Sequence, residues 1–158
     1  MTKNDQSYSV SIILPILNEI NSLKKTIKIL NKINVQKEYL IIYSERLTNN
    51  SVKKEIINLK KRNKNISYKS QLRPFVGGAI DLGIKLAKKN YIVIMASDLE
   101  TNPNELKNMI KVSKKNLKCI ISADRWISQK GFYNYGIIKF LANFFFQKLI
   151  KIFFKYKI

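Results

Sequence analysis

The sequence predicts an α/β fold: an open, mostly parallel sheet with helices on both faces, followed by a C-terminal amphipathic helix. Three observations lead there. Short apolar runs alternate with helical patterns along most of the chain, as in successive βαβ units. The polar residues with chemical potential cluster just after those runs, where ligands bind in open sheets of this kind. The chain has 158 residues, 46% of them hydrophobic, which is enough for one sizeable core.

The first strand is expected over residues 9–14, Ser-Val-Ser-Ile-Ile-Leu, ended by Pro15, which cannot donate to a ladder. In the helix that follows, Ile20, Leu23, Ile27, Leu30 and Ile33 recur every three or four residues and form one stripe that can pack on the sheet. The partner strand is placed over residues 38–43, a second helix over 51–62 and a short strand over 66–69. Residues 71–78 read as a loop containing Gly77-Gly78, before a helix over 79–88 and an apolar strand over 91–95. After the turn Ala96-Ser97-Asp98-Leu99-Glu100-Thr101, a helix start is expected with Asn102 as N-cap, Pro103 at the first position and Glu105 closing a capping-box-like arrangement. A last strand is expected over 118–123, with Cys119 as a buried packing residue.

Thirty basic residues against ten acidic ones give a formal charge of +20, which favours phosphates and anionic surfaces. Only Arg46, Arg62, Arg73 and Arg125 are arginines, so the charge resides in lysines, and solvated lysine faces are the simpler reading. A nucleic-acid partner is not expected, because finger spacing and Arg-rich or aromatic-interleaved patterns are missing. A single cysteine and no histidine exclude a disulfide framework, a zinc site and a Ser-His or Cys-His pair. The polar N-terminus lacks a signal-peptide stretch, which points to the cytoplasm.

Asp98 and Glu100 lie two residues apart in an acidic turn past a strand, so their oxygens can converge on one hard divalent cation that bridges a diphosphate. The same pair would also suit a solvated loop. Asn18 and Glu19 can reach a ligand across the sheet edge or open the next helix. Arg73 offers a fixed positive charge, and Gly77-Gly78 offers either a close backbone approach to a phosphate or a simple turn.

Taken in order, these pieces resemble glycosyltransferase family 2, especially its polyprenyl-phosphate sugar transferase branch, over essentially the whole chain. Residues 11–19, Ser-Ile-Ile-Leu-Pro-Ile-Leu-Asn-Glu, are similar to the family's first strand with its Pro-x-x-Asn-Glu ending; residues 73–83 resemble its Gly-rich loop and helix, and 95–103 its metal-binding strand end. Residues 122–126, Ser-Ala-Asp-Arg-Trp, resemble a later strand end. The resemblance implies a Rossmann-like GT-A domain over 1–131, inverting sugar transfer from a nucleoside diphosphate sugar, and Mg²⁺ or Mn²⁺ on Asp98 and Glu100. It places Pro15, Leu17, Asn18, Glu19, Glu45, Arg73, Gly78, Ser97 and Asp98 around the nucleotide sugar and Arg125 toward phosphates or acceptor. No carboxylate is assigned as base.

Two departures stand out. Tyr43-Ser44-Glu45 replaces the acidic pair after the second strand, and Ala96 replaces the first Asp of the usual Asp-x-Asp. The turn resembles that of a bacterial subset of the family carrying Ala-Ser-Asp-Leu-Glu-Thr, which implies a cell-envelope setting. Relatives continue beyond the position of Ile158 with acceptor-side sequence, so the resemblance implies a fragment or an acceptor site completed by another chain.

Residues 132–158 are expected to form a helical segment. Asn143, Gln147, Lys148, Lys151 and Lys155 gather on one side of a Phe/Ile/Leu-rich helix. Its lysines disfavour a transmembrane span, leaving an interfacial helix on an anionic membrane, where a lipid-phosphate acceptor would be met, or a helix covering the core. A non-catalytic, membrane-associated binding domain is the main rival reading. A basic nucleic-acid binder is the weaker one.

Overall fold

A computed structural model describes residues 8–99, 101–116, 119–123 and 137–154. The chain divides into two compact units, Met1–Leu117 and Lys118–Ile158. In the first, four strands, β1 (Ser9–Ile16), β2 (Gln36–Ser44), β3 (Ile66–Gln71) and β4 (Tyr91–Ile94), form an all-parallel sheet in the order β3-β2-β1-β4. The order turns outward in both directions from β1, which places a topological switch between β1 and β2 on one side and β4 on the other.

Burial divides by side-chain alternation. Val10, Ile12, Leu14 and Ile16 of β1 face the larger core with Tyr39 and Ile41, where helices α1 (Ile20–Asn31) and α2 (Asn50–Arg62) contribute Leu23, Ile27, Leu30, Val52 and Ile56. Leu106 of α4 (Glu105–Lys115) joins the same core. The opposite face carries Ile13, Leu40 and Ile42 under α3 (Phe75–Leu86), whose Ala79 and Leu82 pack there. The predicted α/β class, parallel sheet and helices on both faces are therefore present. The stripe in α1 is buried as the spacing requires, although the helix stops before Ile33.

Ser11 is buried on the α3 face, yet its hydroxyl is fully used. It donates to Glu38 Oε1 (2.6 Å) and accepts from the Lys88 and Lys89 N–H groups (3.2 and 3.0 Å). This polar knot fixes the return from α3 into β4, since a buried hydroxyl is tolerated only when bonded.

Several local expectations are corrected. Pro15 does not end β1: the strand runs to Ile16, with Pro15 opposite Ile42. The Ile13 carbonyl accepts from Met95 N, so Pro15, two residues on, presents its nitrogen to the same side, beyond the end of the β4 ladder, where no hydrogen bond is forgone. Gly77 and Gly78 lie inside α3 rather than in a loop before it. Helix α4 begins at Glu105 after a turn in which Asn102 Oδ1 accepts from Asn104 N (3.1 Å), so Asn102 organises the turn instead of capping the helix, and there is no side-chain cap bond.

In the second unit, residues 119–123 carry no regular secondary structure, and Cys119 is exposed rather than packed. The expected strand is missing there, and the run Cys-Ile-Ile stays in contact with solvent, Ile120 completely so. Helix α5 (Ile137–Phe154) forms as the C-terminal pattern predicts. Its residues include no carboxylate, its large apolar side chains such as Phe145, Phe146, Ile152 and Phe153 are exposed, and Lys148 Nζ lies 4.9 Å from the Phe144 ring centre. No helix among the described residues is long and apolar enough to cross a membrane.

Candidate functional site

The carboxyl ends of all four strands open into one cavity of about 880 Å³. Each wall follows from a strand end. From β1 come Pro15, Ile16, Leu17 and Glu19; from the β2 turn Ser44, Glu45, Arg46 and Leu47; from β3 and the start of α3 Gln71 to Val76 with Ala79; and from beyond β4 Ala96, Ser97 and Asp98. Parallel strands put all their carboxyl ends on one side, so four short connections are enough to build the site.

The connections are braced by specific bonds. Ser97 is buried and donates its hydroxyl to the Pro15 carbonyl (2.7 Å), tying the Asp98 turn to the end of β1. Glu19 Oε2 accepts from the Leu17 and Asn18 N–H groups (3.0 Å each), so this carboxylate shapes its own turn. Asn18 Oδ1 accepts from Asn49 N (2.9 Å), linking the β1 and β2 turns; Asn18 is a brace and does not line the cavity. Thr48 Oγ1 accepts from Ser44 N (3.2 Å) and Ser44 Oγ from Leu47 N (3.3 Å), which projects Glu45, Arg46 and Leu47 toward the opening.

Glu45 is the carboxylate left after β2. Lys53 Nζ donates to it at 2.6 Å and also to its backbone carbonyl, and this bond, reinforced by Lys53 charge and the Tyr43 hydroxyl, holds the Glu45 carboxyl below the usual range. Burial, together with the Glu45 charge, pushes the Tyr43 hydroxyl up, so the phenol remains a neutral donor at physiological pH. Glu45 is thus ionised but already paired.

Arg73 is three-quarters exposed at the mouth, and its guanidinium touches Asp81 of α3 only loosely, at 3.5 Å. Asp81 is held more closely by Lys85 (2.9 Å), whose bond, with the charges of Lys85 and Arg73, lowers its carboxyl. Gly78 is buried below Arg73 rather than lining the cavity: a Cβ there would lie 2.3 Å from the Arg73 carbonyl oxygen. The glycine therefore lets the β3 connection fold down onto α3.

Asp98 stands at the cavity wall with its side chain exposed, followed by Leu99 at φ 68°. Glu100 and Arg125 lie outside the described residues. Among the described residues no group of three or more acidic, His or Cys side chains could cage a metal unaided. Mg²⁺, however, is commonly held by one or two carboxylates with substrate phosphates and water, so Asp98 on the wall of a cavity this large fits an ion shared with a phosphate-bearing ligand.

The sequence reading brings Pro15, Leu17, Glu19, Glu45, Arg73, Ser97 and Asp98 together here. It misses Arg46, Leu47, Gln71, Leu72, Phe75 and Val76. Arg46 could have been found from its place one residue after Glu45 beyond a strand. Leu72, Phe75 and Val76 gave no such signal, because exposed apolar side chains contradict the burial pattern by which elements are read.

No curated protein matches the chain significantly. The family model for glycosyl transferase family 2 matches residues 11–158, nearly the full sequence. With the parallel sheet and the strand-end cavity, that match makes the chain a member of glycosyl transferase family 2, a glycosyltransferase.

Proposed function

We propose that the cavity holds a nucleoside diphosphate sugar and that the enzyme passes the sugar to an acceptor of the polyprenyl phosphate type. The carrying observation is the joining of Asp98, Arg46 and Arg73 on one strand-end cavity of about 880 Å³, a size and charge set suited to a bulky polyphosphate ligand. Pro15, Leu17, Glu19 and Glu45 border the nucleotide. Arg125, by its likeness to the family's later strand end, serves the phosphates or acceptor.

An acceptor phosphate oxygen attacks the anomeric carbon from the face opposite the diphosphate. The new C–O bond forms as the sugar–diphosphate bond breaks, the electron pair leaves with the diphosphate, and configuration inverts. A phosphate acceptor is already anionic and needs no general base. Asp98 and Glu100 would hold Mg²⁺ or Mn²⁺, which when bound neutralises charge on the leaving diphosphate. Arg46 and Arg73 supply fixed positive charge to the same ligand.

Residues 132–158 act in this reading as a peripheral contact with the cytoplasmic membrane face of a bacterial envelope. The supporting observations are the exposed aromatic and aliphatic side chains of α5 and its lysines without carboxylates. Flotation with anionic liposomes at low salt should carry the protein upward, whereas zwitterionic liposomes should carry much less. Failure to float with either removes the membrane part of the proposal.

Isothermal titration with UDP and GDP, each with and without Mg²⁺ or Mn²⁺, tests the donor site. Metal-dependent binding of one nucleotide is expected. Binding of neither would make the protein a family member that has lost its donor site.

A further inference from the structure

Phe75 combines two unfavourable features at one position. Its backbone has φ 62°, a region that a bulky residue rarely adopts, and its ring is 83% exposed. An aromatic ring left in water gains nothing from burial, and a strained backbone gains nothing from local preference. The conformation is nevertheless held on purpose-built supports. Gln71 Nε2 donates to the Phe75 carbonyl (3.1 Å), and Gly78 lets the Arg73 backbone settle against α3. The result is a corner, tied by the Gln71 bond, that places the ring along the cavity.

The sheet order tells which part of a ligand meets that corner. Asp98 follows β4, at one edge of the order β3-β2-β1-β4, while Phe75 follows β3, at the other. Three inter-strand steps, about 14 Å, separate these edges. That span is comparable to the reach of an extended nucleoside diphosphate. With its phosphates at the Asp98 end, such a ligand brings its base over β2 and β3.

We infer that Phe75 is a specificity-determining platform on which the base of the nucleotide stacks. The inference rests on the donor-site reading above and adds the residue and the part of the ligand it recognises. Stacking is indifferent to which base is offered, so Phe75 selects for a nucleotide over a bare diphosphate and leaves the choice of base to the polar groups of the β2 turn.

The test compares wild type, Phe75→Gly and Phe75→Tyr by titration with UDP, GDP and pyrophosphate, all with Mg²⁺, alongside thermal melts. Glycine accepts positive φ freely, so Phe75→Gly should melt at the same temperature or higher while its affinity for the nucleotide falls about tenfold. Pyrophosphate affinity should stay constant, and Phe75→Tyr should keep the wild-type nucleotide affinity. A lower melting temperature in Phe75→Gly, an unchanged nucleotide affinity, or equal losses for nucleotide and pyrophosphate would each overturn the platform. Wild type that binds neither UDP nor GDP overturns the donor reading itself, and the platform with it.

Discussion

Replacing Asp98 by Ala is expected to weaken Mg²⁺-dependent binding of UDP or GDP by ~10–100-fold and to leave metal-free binding nearly unchanged. The magnitude follows from the small ligand set: partners that merely orient a metal ligand are worth that much, and a direct carboxylate ligand is worth no less. Asp98 is exposed at the cavity wall, and urea denaturation of the same variant separates any change in fold stability from the loss of metal-dependent binding. The split between the two titrations carries the argument. A loss of equal size without metal would assign Asp98 to direct contact with the nucleotide instead, and no loss in either would remove it from the site.

Substituting Gly83 by Ala is expected to destabilise the fold by about 1–3 kcal/mol, although alanine is the better helix former by roughly 1 kcal/mol. Packing decides the sign. A Cβ at Gly83 would fall 2.4 Å from Ile13 Cγ2 and 2.9 Å from two further Ile13 carbons, and Ile13 is a wholly buried residue of the central strand with little room to move. Gly78→Ala meets a backbone oxygen at 2.3 Å rather than a side chain, so its effect should be at least as large and should also disturb the Arg73 connection. Gly77→Ala is the internal control, with nothing within 4 Å of the new methyl group, and should be neutral or slightly stabilising. Urea denaturation of the three variants measures the order; equal stability across all three would contradict the close approach of α3 to the sheet.

Much of this fold is legible in the sequence because the alternation of apolar strands and amphipathic helices has one compact solution. The stripe Leu23, Ile27, Leu30 and the strand run Ile12 to Leu14 report burial directly. Features that depend on a neighbour's length or position were not legible. Whether Pro15 interrupts β1 depends on where β4 stops, and whether Gly78 serves a turn or a helix depends on the Arg73 carbonyl above it. Strand-end position identified much of the polar wall of the cavity. It could not identify Leu72, Phe75 and Val76, which are apolar yet exposed.

The bond from Ser97 to Pro15 joins residues 82 positions apart, whereas the Ser11–Glu38 bond between β1 and β2 spans 27. Closing the longer loop costs about 1 kcal/mol more in chain entropy. During synthesis, β1, β2 and β3 can pair before β4 has left the ribosome, which would assemble the half of the cavity bordered by the β2 and β3 connections first. The turn that carries Asp98 joins that half afterwards. Metal-dependent binding of a phosphate-bearing ligand would then be gained only after the β2–β3 half of the cavity has formed, and lost when β4 frays.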